Sequence, residues 1–114
     1  MSRILVPTLS ELRVELDQAR AALLAADAEC DRVSGTAEQE ADAVYSARSN
    51  VFWELVRQIS AQPAASLADL RVKAHALQQA GELTDWEMFN SPTVSEAALI
   101  RQLIVGVADE RIAQ

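Results

Sequence analysis

Residues 26–44 read ADAECDRVSGTAEQEADAV, and the Ser34-Gly35-Thr36 step at their centre decides how the chain is laid out. Serine and glycine stop a helix, glycine because it accepts the left-handed C-terminal conformation without a Cβ penalty. Thr36 with Gln39 three residues later has the form of a capping box, so a second helix opens directly after the stop. Upstream, Leu9, Leu12, Leu16, Ala19, Leu23, Ala26, Cys30 and Val33 recur in steps of three and four, the seam of a heptad. Thr8 with Glu11, just after Pro7, supplies the start of that helix. Downstream, Val44, Val51, Phe52, Leu55, Val56 and Ile59 form a broad apolar face, and Pro63 pushes the residue before it out of helical space. Two helices of about 25 residues, each about 37 Å long and joined by a tight turn, predict an antiparallel hairpin over residues 8–61. Folding it about Gly35 sets Ala26 near Val44, Cys30 near Ala41, Leu16 near Leu55 and Leu12 near Ile59. Small residues meet at the turn and large ones at the open end, so the tip is slim and the core sits at the base.

After Pro63, Ser66 with Asp69 starts a shorter helix over 66–80, with Leu67, Leu70, Ala74 and Leu77 on one face and Gly81 as its stop. The connection from Glu82 to Ser91 holds Leu83, Trp86, Met88 and Phe89, too apolar to float free, and is expected to pack near Phe52 and Trp53. A last helix over 92–113 opens at Ser91-Pro92 or at Thr93 with Glu96. Leu99, Ile100, Leu103, Ile104 and Val107 are its expected buried face. Gly106 lies within it at a cost of about 1 kcal/mol against alanine, which marks a close backbone contact. No segment alternates with period two. The expected fold is all-α: one domain over 1–114, a long antiparallel helical hairpin of coiled-coil character with two shorter helices packed at its open end.

Composition agrees with that layout. The chain has 114 residues, 50% hydrophobic and 24% charged, with three glycines and three prolines, which excludes a disordered tail and a disulfide-stapled miniprotein. One cysteine, Cys30, cannot pair internally. No apolar run approaches the about 20 residues of a membrane span, and the N-terminal Ile4-Leu5-Val6 is too short for a signal-peptide core. A cytoplasmic protein without a membrane partner is therefore expected. The net charge of −7 argues against direct binding of nucleic acid.

Chemistry-bearing residues are few. Six acids, Asp27, Glu29, Asp31, Glu38, Glu40 and Asp42, gather around the turn against one base, Arg32, and so hold −5 of the net −7. Asp27, Glu29, Asp31 and Glu38 imitate positions 1, 3, 5 and 12 of a calcium loop, but Arg32 stands where that loop requires glycine, and the heptad predicts continuous helix there. His75 is the sole histidine and is expected on an exposed helical surface. With no second histidine, no Gly-x-Ser-x-Gly elbow and no glycine-rich phosphate loop, neither catalytic nor metal residues are assigned, and no cofactor is implied. Cys30 falls on the heptad seam, a small buried residue rather than a reactive thiol. Of the aromatics, Trp53 is the one expected to reach the surface, since Phe52 and Val56 fill the inward face.

Residues 62–70, QPAASLADL, followed by Arg71 and Lys73, resemble a segment of small helical proteins found in alphaproteobacterial genomes and prophages. The resemblance covers about a third of the chain and implies an Ala-rich hairpin followed by an amphipathic helix, with a mobile-element origin. Asp69 stands where many of those chains have glycine. It implies no catalytic residue.

The expected function is a non-enzymatic protein–protein interaction module. Its contact residues are Asp27, Glu29, Asp31, Glu38, Glu40, Asp42 and Trp53, and its partner is a basic protein or a second copy in a homodimer. The alternative is an acidic inhibitor that imitates nucleic acid, since carboxylates along a slim rod can approximate a duplex charge of about one per 1.7 Å.

Overall fold

The computed structural model describes residues 6–109, which form four α-helices and one 3₁₀ turn. Helix α1 spans Leu9–Arg32 and α2 spans Thr36–Ala61. Thr8 caps α1 with both halves of a capping box, its side chain accepting from the Glu11 amide while Glu11 accepts from the Thr8 amide. The reversal falls at Gly35, whose φ of +74° is the left-handed backbone that glycine takes without strain. The box expected from Thr36 and Gln39 does not form: Thr36 is already inside α2, and Gly35 occupies the cap position without a side-chain bond.

Helix α3 (Leu67–Leu83) is capped by Ser66, which accepts from the Asp69 amide. It runs through the expected stop at Gly81, three residues beyond the expected end at residue 80. Glycine serves there for space and not for conformation, because a Cβ at Gly81 would collide with the Trp86 ring. The left-handed residues that turn the chain are instead Asp85 (φ 52°) and Trp86 (φ 61°). The 3₁₀ turn Glu87–Phe89 follows, and α4 runs Val94–Ala108 from a complete Thr93–Glu96 capping box. Of the two starts open in the sequence, the second is used, two residues later than residue 92. The end expected at 113 lies outside the described residues.

The hairpin and the two later helices ascend and descend alternately. Asn50, Trp53 and Arg57 of α2 border Thr93 and Ser95 beside α4, and Ser60 near the end of α2 meets Gln102. Asp17–His75 and Arg20–Glu82 tie α1 to α3 in the same running sense. Leu12, Leu16, Phe52, Val56, Ile59, Ala76, Ala80, Met88 and Leu99 are buried in one cluster at this four-helix base. Toward the tip only Ala26 and Ala41 are buried, so the expected taper is present. The radius of gyration is 16.3 Å, against about 13 Å for a compact chain of 100 residues, because the far end of the hairpin projects beyond α3 and α4 as an arm. Among the described residues no helix is long and apolar enough to cross a membrane.

Three expected faces are corrected. In α3 the buried stripe is Leu70, Lys73, Ala76 and Ala80, rotated away from Leu67 and Ala74, which are exposed. Lys73 is 0% exposed, and its Nζ donates to the Ile59 carbonyl at 2.6 Å. In a continuing helix that carbonyl would accept from residue 63, but Pro63 has no N–H, and the lysine replaces the missing donor. Gln102 does the same for the next carbonyl, Ser60, at 2.9 Å. In α4, Ile104 (67% exposed) and Val107 (69%) face outward, because Gly106 turns inward against Leu70, where a Cβ would stand 2.6 Å from Cδ2. In the connection, Met88 is buried and Leu83 packs on the core as expected, but Phe89 does not reach Phe52. It stacks on the half-exposed Trp86 at 6.1 Å instead.

Candidate functional site

The six acids of the arm do not converge. Asp31, Glu38 and Asp42 are exposed, Glu29 is half-buried and bonded to Arg32 one turn away, and Glu29 and Glu40 flank a shallow cleft over Ala26, Ala37, Ala41 and Val44. Among the described residues no three His, Cys, Asp or Glu side chains form a group able to hold a metal. Residues 27–32 are unbroken helix, which leaves the calcium-loop spacing without a loop. Cys30 is half-buried. Its thiol is pushed up by that partial burial, then by a hydrogen bond with Asp42 and by the fields of Asp42, Asp27 and Asp31. A thiol held protonated in this way is a poor nucleophile.

Two of the expected contact residues, Asp27 and Trp53, do come together. They line a groove of about 380 Å³ where the arm leaves the bundle, with Leu23 and Leu24 from α1, Tyr45 and Ser49 from α2, and Glu82, Leu83 and Thr84 at the end of α3. The periodicity of α2 explains one wall. Tyr45, Ser49 and Trp53 are four residues apart, so they stack along one stripe of the helix. Trp53 is half-buried rather than fully exposed: it meets Phe52 edge to face, with centroids 5.2 Å apart and planes at 87°. Phe52 is fully buried, so the indole is anchored on a rigid support.

The α3 side is held by charge. Glu82 Oε2 accepts from Arg20 Nη2 at 2.9 Å, and its Oε1 accepts from Gln78 Nε2 at 3.2 Å. One turn back along α1, Asp17 Oδ1 and His75 Nε2 lie 2.6 Å apart. His75 is therefore half-buried and engaged in a bridge between α1 and α3, contrary to the exposed surface expected for it. Asp27 has no ion pair among the described residues. The groove lining contains two carboxylates, two aromatic rings and no base.

Tyr45 and Glu82 were not marked by sequence reasoning. The i, i+4, i+8 spacing of Tyr45, Ser49 and Trp53 was a usable signal. The approach of Glu82 was not, since it depends on α3 continuing past Gly81.

A second cleft, of about 480 Å³, opens at the base between Pro63, Leu70, Arg101, Val105 and Gly106, over Lys73 and Gln102. Its buried donors are already committed to the carbonyls of α2. Desolvation lowers the Lys73 amine below its ordinary value, opposed in part by Asp69. The cleft is thus a consequence of capping α2 across Pro63. No family model, curated protein or solved structure matches the chain, so the reading of the groove rests on its own geometry.

Proposed function

We propose that the chain is a non-enzymatic helical interaction module that engages a basic partner protein through its projecting hairpin arm. The observation that carries this reading is the arm itself. It extends past the bundle and carries most of the net negative charge on side chains free of the core. It also exposes Leu24, Val44, Tyr45 and Val51, an apolar complement to the acids that a merely solvated tip does not need. The raised Cys30 thiol favours binding over nucleophilic catalysis at that residue. A partner that handles nucleic acid is the narrower form of this reading, and its mark is that duplex DNA competes for the bound surface.

The test compares wild type with the Glu38→Gln, Glu40→Gln, Asp42→Asn triple variant in capture from the native host. A specific basic protein is expected on wild type, released as salt rises and absent from the variant. If the variant retains every protein that wild type retains, the arm is not the working surface.

Self-association is a second reading, favoured by the outer face of α4. Val94, Ala97, Arg101, Ile104 and Ala108 are all exposed and spaced three and four apart, a seam with one charge and no covering element among the described residues. Light scattering is expected to show a dimer at high micromolar concentration, and Ile104→Glu with Val107→Glu to return the monomer. Monomer alone in wild type at that concentration removes this reading.

A further inference from the structure

We propose that the groove at the root of the arm is an arginine-accepting site, receiving one guanidinium from a basic segment of the partner. This rests on the reading of the chain as an interaction module and names the chemistry its surface recognises.

The lining decides the class of occupant. Asp27 from α1 and Glu82 from the end of α3 both line the groove with Tyr45 and Trp53, and no base is among the lining residues. An anion would meet the unpaired carboxylate of Asp27. A purely apolar group would strip water from that carboxylate and return nothing to it. A cation pairs with Asp27 and gains attraction from the faces of the aromatic rings. Among cations, the planar guanidinium is preferred to an ammonium, because it stacks on an indole or phenol while its fork of N–H donors reaches a carboxylate in the same plane.

Local charge points the same way. From Ala74 through Ile100 the chain has no lysine or arginine but carries the exposed Glu82, Asp85 and Glu87. The α3 side of the groove therefore continues into an acidic surface, as the arm does on the other side. Arg20 is already held by Glu82. That pair shows the rim carboxylate positioned for a guanidinium, and it leaves Asp27 as the carboxylate without an ion pair. The site is also built in advance: Glu82 is held by Arg20 and Gln78, and Trp53 by Phe52. Little side-chain freedom remains to be lost on binding.

The test uses the full chain carrying Trp86→Phe, which leaves Trp53 as the only indole, and titrates it with penta-arginine, penta-lysine and penta-glutamate amides. Penta-arginine is expected to shift Trp53 emission and to bind at least about fivefold more tightly than penta-lysine, with penta-glutamate inert. Asp27→Asn and Tyr45→Leu, both at exposed positions, are each expected to weaken penta-arginine about fivefold or more while the melting curve is unchanged. Asp31→Asn, one turn further along the arm, is expected to leave it nearly unchanged. Equal losses from Asp27→Asn and Asp31→Asn, with arginine and lysine peptides indistinguishable, would show diffuse attraction to the arm and overturn the site. The absence of any peptide binding overturns it as well. Neither result touches the module reading, which the native-host comparison decides separately.

Discussion

Phe52→Ala is expected to lower stability by about 3–5 kcal/mol, the usual cost of emptying a fully buried aromatic site. In a domain this small that is a large share of the whole, since native stability is about 5–15 kcal/mol. Thermal unfolding should show a fall in Tm of roughly 15 °C. The size of the effect follows from the taper. Phe52 lies where α2 enters the four-helix base, in one cluster with Leu16, Val56, Ile59 and Met88. Ala26→Gly at the slim end is expected to cost only about 1 kcal/mol, mainly the propensity of glycine in a helix. If the two variants melt together, the core is not concentrated at the base. Phe52 also supports Trp53, so binding at the groove should weaken in the Phe52 variant even at temperatures where it is folded.

Lys73→Ala is expected to cost about 2–5 kcal/mol, because it empties the space filled by the buried stem and leaves the Ile59 carbonyl without its donor. Lys73→Met keeps the stem and removes only the amine, and it separates packing from charge. The sign of the pH effect follows from linkage. The folded-state amine lies below its ordinary value, so over the window between the folded and unfolded values the unfolded chain binds more protons. Stability of wild type therefore rises with pH as it climbs through that window toward about 10.5. The raised Cys30 thiol is common to both proteins. The difference between wild type and Lys73→Met in chemical denaturation, measured from pH 7 to 10.5, isolates the lysine. A wild-type curve parallel to that of the methionine variant across the range would mean that the amine is not desolvated in the folded state. Because Lys73 is the chain's only lysine, slow acylation of its side chain in the native state offers an independent check on its burial.

The hairpin was legible because its evidence is local. The step-three, step-four seam from Leu9 to Ala26, the Thr8–Glu11 box and Gly35 each depend on neighbours within one or two turns. Ser66, and Thr93 as one of two starts, were legible for the same reason; glycine in a helix signalled a close contact at Gly106 but not that Leu70 makes it. The face of α3 was not. A hydrophobic pattern assigns lysine to water, and the reason for burying Lys73 is a missing donor ten residues earlier that becomes a problem only when α2 ends against α3. The orientation of α4 was hidden by a related effect: Gly106, with nothing to bury, was passed over as a core position in favour of Ile104 and Val107, although its lack of a side chain is what lets Leu70 approach. Of the groove, the sequence marks Asp27 and Trp53 as contact residues, on the separate grounds of charge and exposed ring, with nothing to show that they meet.

The amino-acid sequence by itself determined four helices, where the chain reverses, and an arm that is narrow and acidic at its turn and broad at its base, since helix periodicity and capping operate over a few residues. Only the tertiary structure decided which carboxylates and which rings line one groove at the root of that arm. That juxtaposition requires α3 to pass Gly81 beneath Trp86 and to deliver Glu82 to Arg20, contacts between residues tens of positions apart whose free energy exists only once the helices have packed.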